Sequence, residues 1–107
     1  MTRIDNDIFE LPQGIRLTPI HPGHTIADEL AARNLTAHRA ALKMRVPPNR
    51  LALIINGCRG ITADTALRLA RLLGSSAQFW MDLQTQYDLA VTERDHGNQI
   101  VTEVETA

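Results

Sequence analysis

Two adjacent prolines, Pro47 and Pro48, stand inside a run whose apolar residues otherwise recur at helical spacing. Proline lacks an amide N–H and fits only the first turn of a helix, so the pair must divide the run in two. Leu35, Ala40, Ala41, Met44, Val46, Leu51, Ile54 and Ile55 then fit two short helices joined by a tight turn, each with one buried stripe. Thr36 is placed to cap the first helix, Pro48 to open the second, and Asn56-Gly57 to close it. Ala41 falls where the helices would cross, and its methyl lets the backbones approach. This is a helix-turn-helix pattern.

Charge is distributed around that motif. From Arg33 to Arg71 there are eight Lys or Arg and one acid, Asp64, an excess of seven positive charges. The whole chain carries −1, so the remainder carries −8. A basic middle between acidic ends suits a small nucleic-acid-binding module with another task at its termini. At 107 residues there is room for one modest core, and with only four aromatic side chains it must be aliphatic. The single cysteine, Cys58, excludes an internal disulfide and a cysteine-based zinc site. No apolar run reaches membrane-spanning length and the start has no signal-peptide pattern, so a cytoplasmic location without membrane association is expected.

Along the chain, residues 1–20 form an arm with apolar groups of no single period, a short helical turn being expected near Asp7 to Leu11 before Pro12 and Gly14. His21-Pro22-Gly23 opens a first helix to about Arg33 with Ile26, Ala27, Leu30 and Ala31 on one face, and Asn34 ends it. His21 and His24 lack a third ligand nearby, so no metal is expected. Thr62 caps a fourth helix lined by Ala66, Leu69, Ala70 and Leu73 and stopped by Gly74. Ser75 to Gln78 reads as a capping box with Ser75 as cap, starting a fifth helix to about Glu93. Phe79 and Leu83 are expected in the core. Trp80, Gln84 and Tyr87 are candidates for contact with a second subunit, and residues 94–107 for a frayed tail.

The runs VPPNR (Val46 to Arg50), ING (Ile55 to Gly57) and GITADTALRLARLLGSSAQFWMDLQTQYDLA (Gly60 to Ala90), preceded by HPG (His21 to Gly23), resemble antitoxins of the HigA type within the Xre family of helix-turn-helix regulators. The resemblance covers His21 to Ala90, 70 of 107 residues, with several motifs in order and spacing. It implies an all-α, five-helix, Xre-type (lambda-repressor-like) domain at residues 21–93 that binds operator DNA as a homodimer. It also implies a RelE-like ribonuclease toxin as partner and repression of the chain's own operon, with no cofactor. The chain departs from the family pattern at Ala37, often Gln; at Arg45, usually Gly; at Ala52 and Leu53, usually polar; and at Cys58, often Lys or Arg.

The start of the second motif helix is the part that reaches base edges in the major groove. Pro48, Asn49, Arg50 and Leu53 are therefore the expected base contacts. Asn49 offers the donor–acceptor pair that grips adenine, Arg50 the fork that fits guanine, and Leu53 a surface for a thymine methyl. Phosphate contacts are expected from Thr36, His38 or Arg39, Lys43, Arg45, Asn56 and Arg59. A toxin that grips RNA must be basic, so its contact is expected on acidic and apolar groups outside the basic middle: Ile8, Phe9 and Glu10 in the arm with Asp28 and Glu29 in the first helix, in preference to Glu93, Asp95, Glu103 and Glu105 beside Ile100, Val101 and Val104 in the tail. No nucleophile–base–acid set, phosphate loop or dinucleotide fingerprint occurs, which argues against an enzyme. The competing readings are a repressor without a toxin and a protein-interaction module that has lost DNA binding.

Overall fold

The computed structural model of the protein describes Phe9–Glu10, Arg16–Leu17 and residues 19 to 107. Five helices follow one short strand pair: β1 (Phe9–Glu10), β2 (Arg16–Leu17), α1 (Pro22–Ala32), α2 (Ala37–Met44), α3 (Pro48–Ile55), α4 (Ala63–Leu73) and α5 (Ala77–Glu103). Two compact units result, one formed by His21–Thr85 and one by the described N-terminal residues together with Gln86–Ala107.

In the first unit each helix end has a local cause. The Gly23 N–H donates to Nδ1 of buried His21 at 2.9 Å, and Pro22 fills the first turn of α1. Thr36 Oγ1 accepts from the Arg39 N–H at 3.2 Å and Thr62 Oγ1 from the Thr65 N–H at 3.3 Å, so the caps of α2 and α4 are the expected ones. α3 starts on Pro47 without a side-chain cap, since two prolines leave fewer amides to satisfy. It ends as Asn56-Gly57 predicts: Gly57 is left-handed (φ 80°), and the Cys58 N–H reaches back to the Leu53 carbonyl at 2.8 Å.

The core of this unit is continuous: Ile26 and Leu30 of α1, Ala40, Ala41 and Met44 of α2, Val46 of the turn, Leu51 and Ile54 of α3, Ile61, Ala66 and Leu69, and Trp80 of α5. All the central-motif residues expected inside are buried or packed against this cluster. At Gly23, α1 lies directly against the end of α3. A Cβ there would overlap the Ile54 carbonyl oxygen and lie 2.7 Å from that of Ile55. Two longer-range hydrogen bonds fasten the frame: Arg68 Nη1 donates to the Met44 carbonyl at 2.9 Å, and the Ile61 N–H donates to Gln84 Oε1 at 2.7 Å.

α5 departs from the sequence reading in three ways. Its capping serine is Ser76, whose Oγ accepts from the Phe79 N–H at 3.0 Å, while Ser75 Oγ accepts from the Trp80 indole N–H at 2.8 Å and Gln78 turns forward to Asp82. Trp80 is the core aromatic at 1% exposure, and Phe79 is 44% exposed, lying edge-on to it with ring centroids 5.0 Å apart. A tryptophan is buried cheaply when its N–H finds an acceptor, and Ser75 provides one. Finally, the helix continues to Glu103, so residues 94–103 are helical rather than frayed.

In the second unit, β1 and β2 pair antiparallel with Phe9 opposite Leu17 and Glu10 opposite Arg16. Phe9–Glu10 is thus extended where a helical turn was expected; Asp7, Ile8 and Leu11 lie outside the described residues.

Substituting Gly23→Ala should test the α1–α3 approach. The added methyl has only backbone carbonyls to meet, which cannot rotate away. The loss should reach the upper end of the about 1–3 kcal/mol range for overpacking, read from urea unfolding midpoints.

Candidate nucleic-acid interface

The inner side of α3 is fixed by Leu51 and Ile54, both almost fully buried, and this determines what its outer side presents. Pro48, Asn49, Ala52 and Leu53, at i, i+1, i+4 and i+5, share one exposed face. Arg50 lies beside it, half-buried. The two prolines remove two N–H donors from the start of α3, so recognition there depends on side chains.

Around α3, Thr36, His38, Arg39, Lys43, Arg45, Asn56 and Arg59 are all exposed. Thr36 is at the start of α2, where its side chain is occupied by capping, and Asn56 is the C-cap that follows α3. Arg45 ends α2 in the left-handed conformation (φ 60°, ψ 41°), with the Val46 N–H closing the turn onto the Ala41 carbonyl at 3.0 Å. The arginine thus occupies the backbone state that glycine adopts without penalty. Lys43 and Arg45 also border an open groove of about 740 Å³ between α2 and α4, together with Arg68 and Arg71. Arg68 is engaged by Asp64 at 2.9 Å and by the Met44 carbonyl. Arg71 is a basic residue of this surface that the sequence reading did not single out.

The other expected sites divide. Gln84 is 7% exposed and used inside the chain by Ile61, and Trp80 is deep in the core, so neither has side-chain surface for a second subunit. That corrects two of the three residues assigned to a subunit contact. Tyr87 is half-buried. The signal for an inward Gln84 was its position four residues after Trp80, on the same face. Of the toxin-contact residues, Ile8 lies outside the described residues, and Phe9 and Glu10 are described only as strand backbone. Asp28 is exposed, and Glu29 is ion-paired with Arg33 at 2.7 Å. Among the described residues no three His, Cys, Asp or Glu side chains gather as a metal site, and no helix is long and apolar enough to cross a membrane.

Two short helices crossing through small residues, with a basic surround and an exposed second helix, define a helix-turn-helix regulator. The helix-turn-helix family profile matches residues 26–80. Virulence-associated protein I of Dichelobacter nodosus is 46% identical over 89 residues, covering 81% of this chain and 82% of that one. A solved addiction module antidote protein of the HigA family from Coxiella burnetii superposes with a TM-score of 0.80 at 41% identity, covering 85% of this chain and 100% of that one. Pseudomonas aeruginosa antitoxin HigA, solved with higBA promoter, gives a TM-score of 0.78 at 41% identity over 81% of this chain and 96% of that one. The chain belongs to the helix-turn-helix family and, within its Xre branch, to the HigA type. It has the fold of a helix-turn-helix regulator.

The left-handed Arg45 separates stability from charge. Arg45→Gly should raise stability by about 1 kcal/mol, since a residue with a Cβ is disfavoured in this backbone state. If Arg45 holds a phosphate, the same change should weaken DNA binding and reduce the salt-dependence slope by about one. Urea unfolding and a salt titration of binding measure the two effects.

Proposed function

We propose that the protein is the DNA-binding antitoxin of a type II toxin–antitoxin pair, acting in the cytoplasm as a homodimer that represses its own operon and neutralises a RelE-like toxin. The observation that carries the DNA half of this reading is the α3 face with Asn49 exposed and Arg50 beside it, together with exposed Arg39 and Lys43 of α2, Arg45 of the turn and Arg59 after α3. The Pseudomonas aeruginosa relative solved with promoter DNA supports it. One motif presents few base contacts, and two copies reading half-sites about 34 Å apart are the usual arrangement. With Trp80 and Gln84 inside the core, the second copy is better sought along α5 beyond Thr85, where Tyr87 is half-buried and Leu89, Val101 and Val104 are exposed.

The toxin half rests on the HigA-type kinship and on charge. An RNA-cleaving toxin must be basic, and every acid of this chain but Asp64 lies outside its basic middle, so a toxin held by the arm, through Phe9 and Glu10, or by α1, through Asp28, need not compete for the basic residues that flank α3. Glu29 contributes less, being already paired with Arg33. Simultaneous binding of toxin and operator, as autoregulation by the complex requires, is compatible with this placement.

Binding to a duplex taken from upstream of the chain's own reading frame, set against a random duplex, tests the DNA half. Asn49→Ala and Arg50→Ala should each cost about 1–3 kcal/mol on the former and less on the latter. Equal losses on both would reduce the two residues to phosphate contacts. For the toxin half, coexpression with a neighbouring small basic reading frame should restore growth, and a chain lacking Met1 to Leu17 should do so poorly. Full rescue by the shortened chain moves the toxin contact onto the helices.

A further inference from the structure

The base-facing side of α3 is unusually poor in hydrogen-bonding groups. Of the four residues sharing its exposed face, Pro48, Ala52 and Leu53 are apolar and only Asn49 can both donate and accept. Leu53 is 40% exposed, whereas Leu51 and Ile54 on the opposite side are at 0% and 1%, so Leu53 is not a core leucine that reaches the surface at its edge. Ala52, reduced to a methyl beside it, opens room for a close approach. Pro47 and Pro48 also withdraw two backbone donors from the same end of the helix.

We propose that this face reads the C5-methyl group of a pyrimidine, with Leu53 as the main contact and Pro48 and Ala52 shaping the surface around it. The inference rests on the DNA-binding reading above and specifies what that site selects. The C5-methyl of thymine is the apolar group that an unmodified base pair projects into the major groove, so an apolar patch carried there has one natural complement. Cytosine methylated at C5 carries the same group. Leu53 follows Asn49 by four residues, about 6 Å along the helix axis. With α3 lying along the groove, a methyl read by Leu53 falls about two base steps from an adenine gripped by Asn49.

Uracil scanning of the upstream duplex tests this with the full-length chain, because replacing thymine by uracil removes the methyl and leaves every base-pairing and groove hydrogen-bonding group in place. Fluorescence anisotropy should show one or two positions in each half-site where uracil lowers affinity three- to fourfold per methyl, on the order of the transfer free energy of one buried methyl group. The penalty should disappear in Leu53→Ala and persist in Leu53→Met, with circular dichroism confirming that both variants are folded. At a sensitive position 5-methylcytosine should bind better than cytosine, which separates the methyl from the thymine base as a whole. Tight binding that is indifferent to uracil everywhere overturns the methyl inference and leaves DNA binding intact. An equal uracil penalty in the wild type and in Leu53→Ala removes Leu53 from the role. No preference for the upstream duplex over a random one defeats the base-reading proposal itself, and this inference with it.

Discussion

The seating of α3 against α1 and α2 is the constraint from which the rest of the interface follows. Leu51 and Ile54 must enter the core while Asn49 and Leu53 remain outside, and a rotation of α3 by one residue would exchange these roles. Gly23 holds α1 against the carbonyls at the end of α3, and Ala40 and Ala41 let α2 approach its other side. None of these residues would contact a ligand. Their small size fixes the rotation of the helix that does, because a larger side chain at any of them would push α3 outward and tilt its exposed face.

Electrostatics is layered on that frame. Arg68 is spent internally, joining α4 to the end of α2 and pairing with Asp64. Lys43, Arg45 and Arg71 have no ion pair among the described residues and are exposed, which is the state that long-range attraction to an anionic polymer requires. The cost sits at Arg45, where a cation occupies a left-handed position. Placing positive charge beside the recognition helix at the expense of a relaxed turn is a form of local strain common at functional positions.

α5 shows where periodicity fails. Phe79 with Leu83 and Trp80 with Gln84 are both spaced four apart, so each pair describes a face one residue rotated from the other. Hydrophobicity favours the Phe–Leu face. The structure puts Trp80 and Gln84 inside because their polar atoms have partners: Ser75 accepts from the indole, and Gln84 receives the Ile61 N–H at the bend before α4; Leu83 still packs against the core at its edge, as expected, and of that pair only Phe79 is exposed. Those partners come from outside the helix, and no pattern within it reveals them. The same cause misplaced the cap, since of two adjacent serines Ser75 was taken by Trp80 and Ser76 was left for the backbone.

The sequence by itself determined the elements and their ends in the first four helices, because proline, glycine, asparagine and the threonine caps act over three or four residues. It also determined which residues of α3 face outward, since Leu51 and Ile54 leave only one side for Asn49, Ala52 and Leu53. Tertiary structure alone decided the rotation of α5, the consumption of Trp80 and Gln84 within the chain and the extended backbone at Phe9–Glu10. The division has a physical reason. A cap or a turn is satisfied by its own neighbours, whereas the burial of a polar-tipped side chain or the pairing of a strand depends on a group far away in the chain.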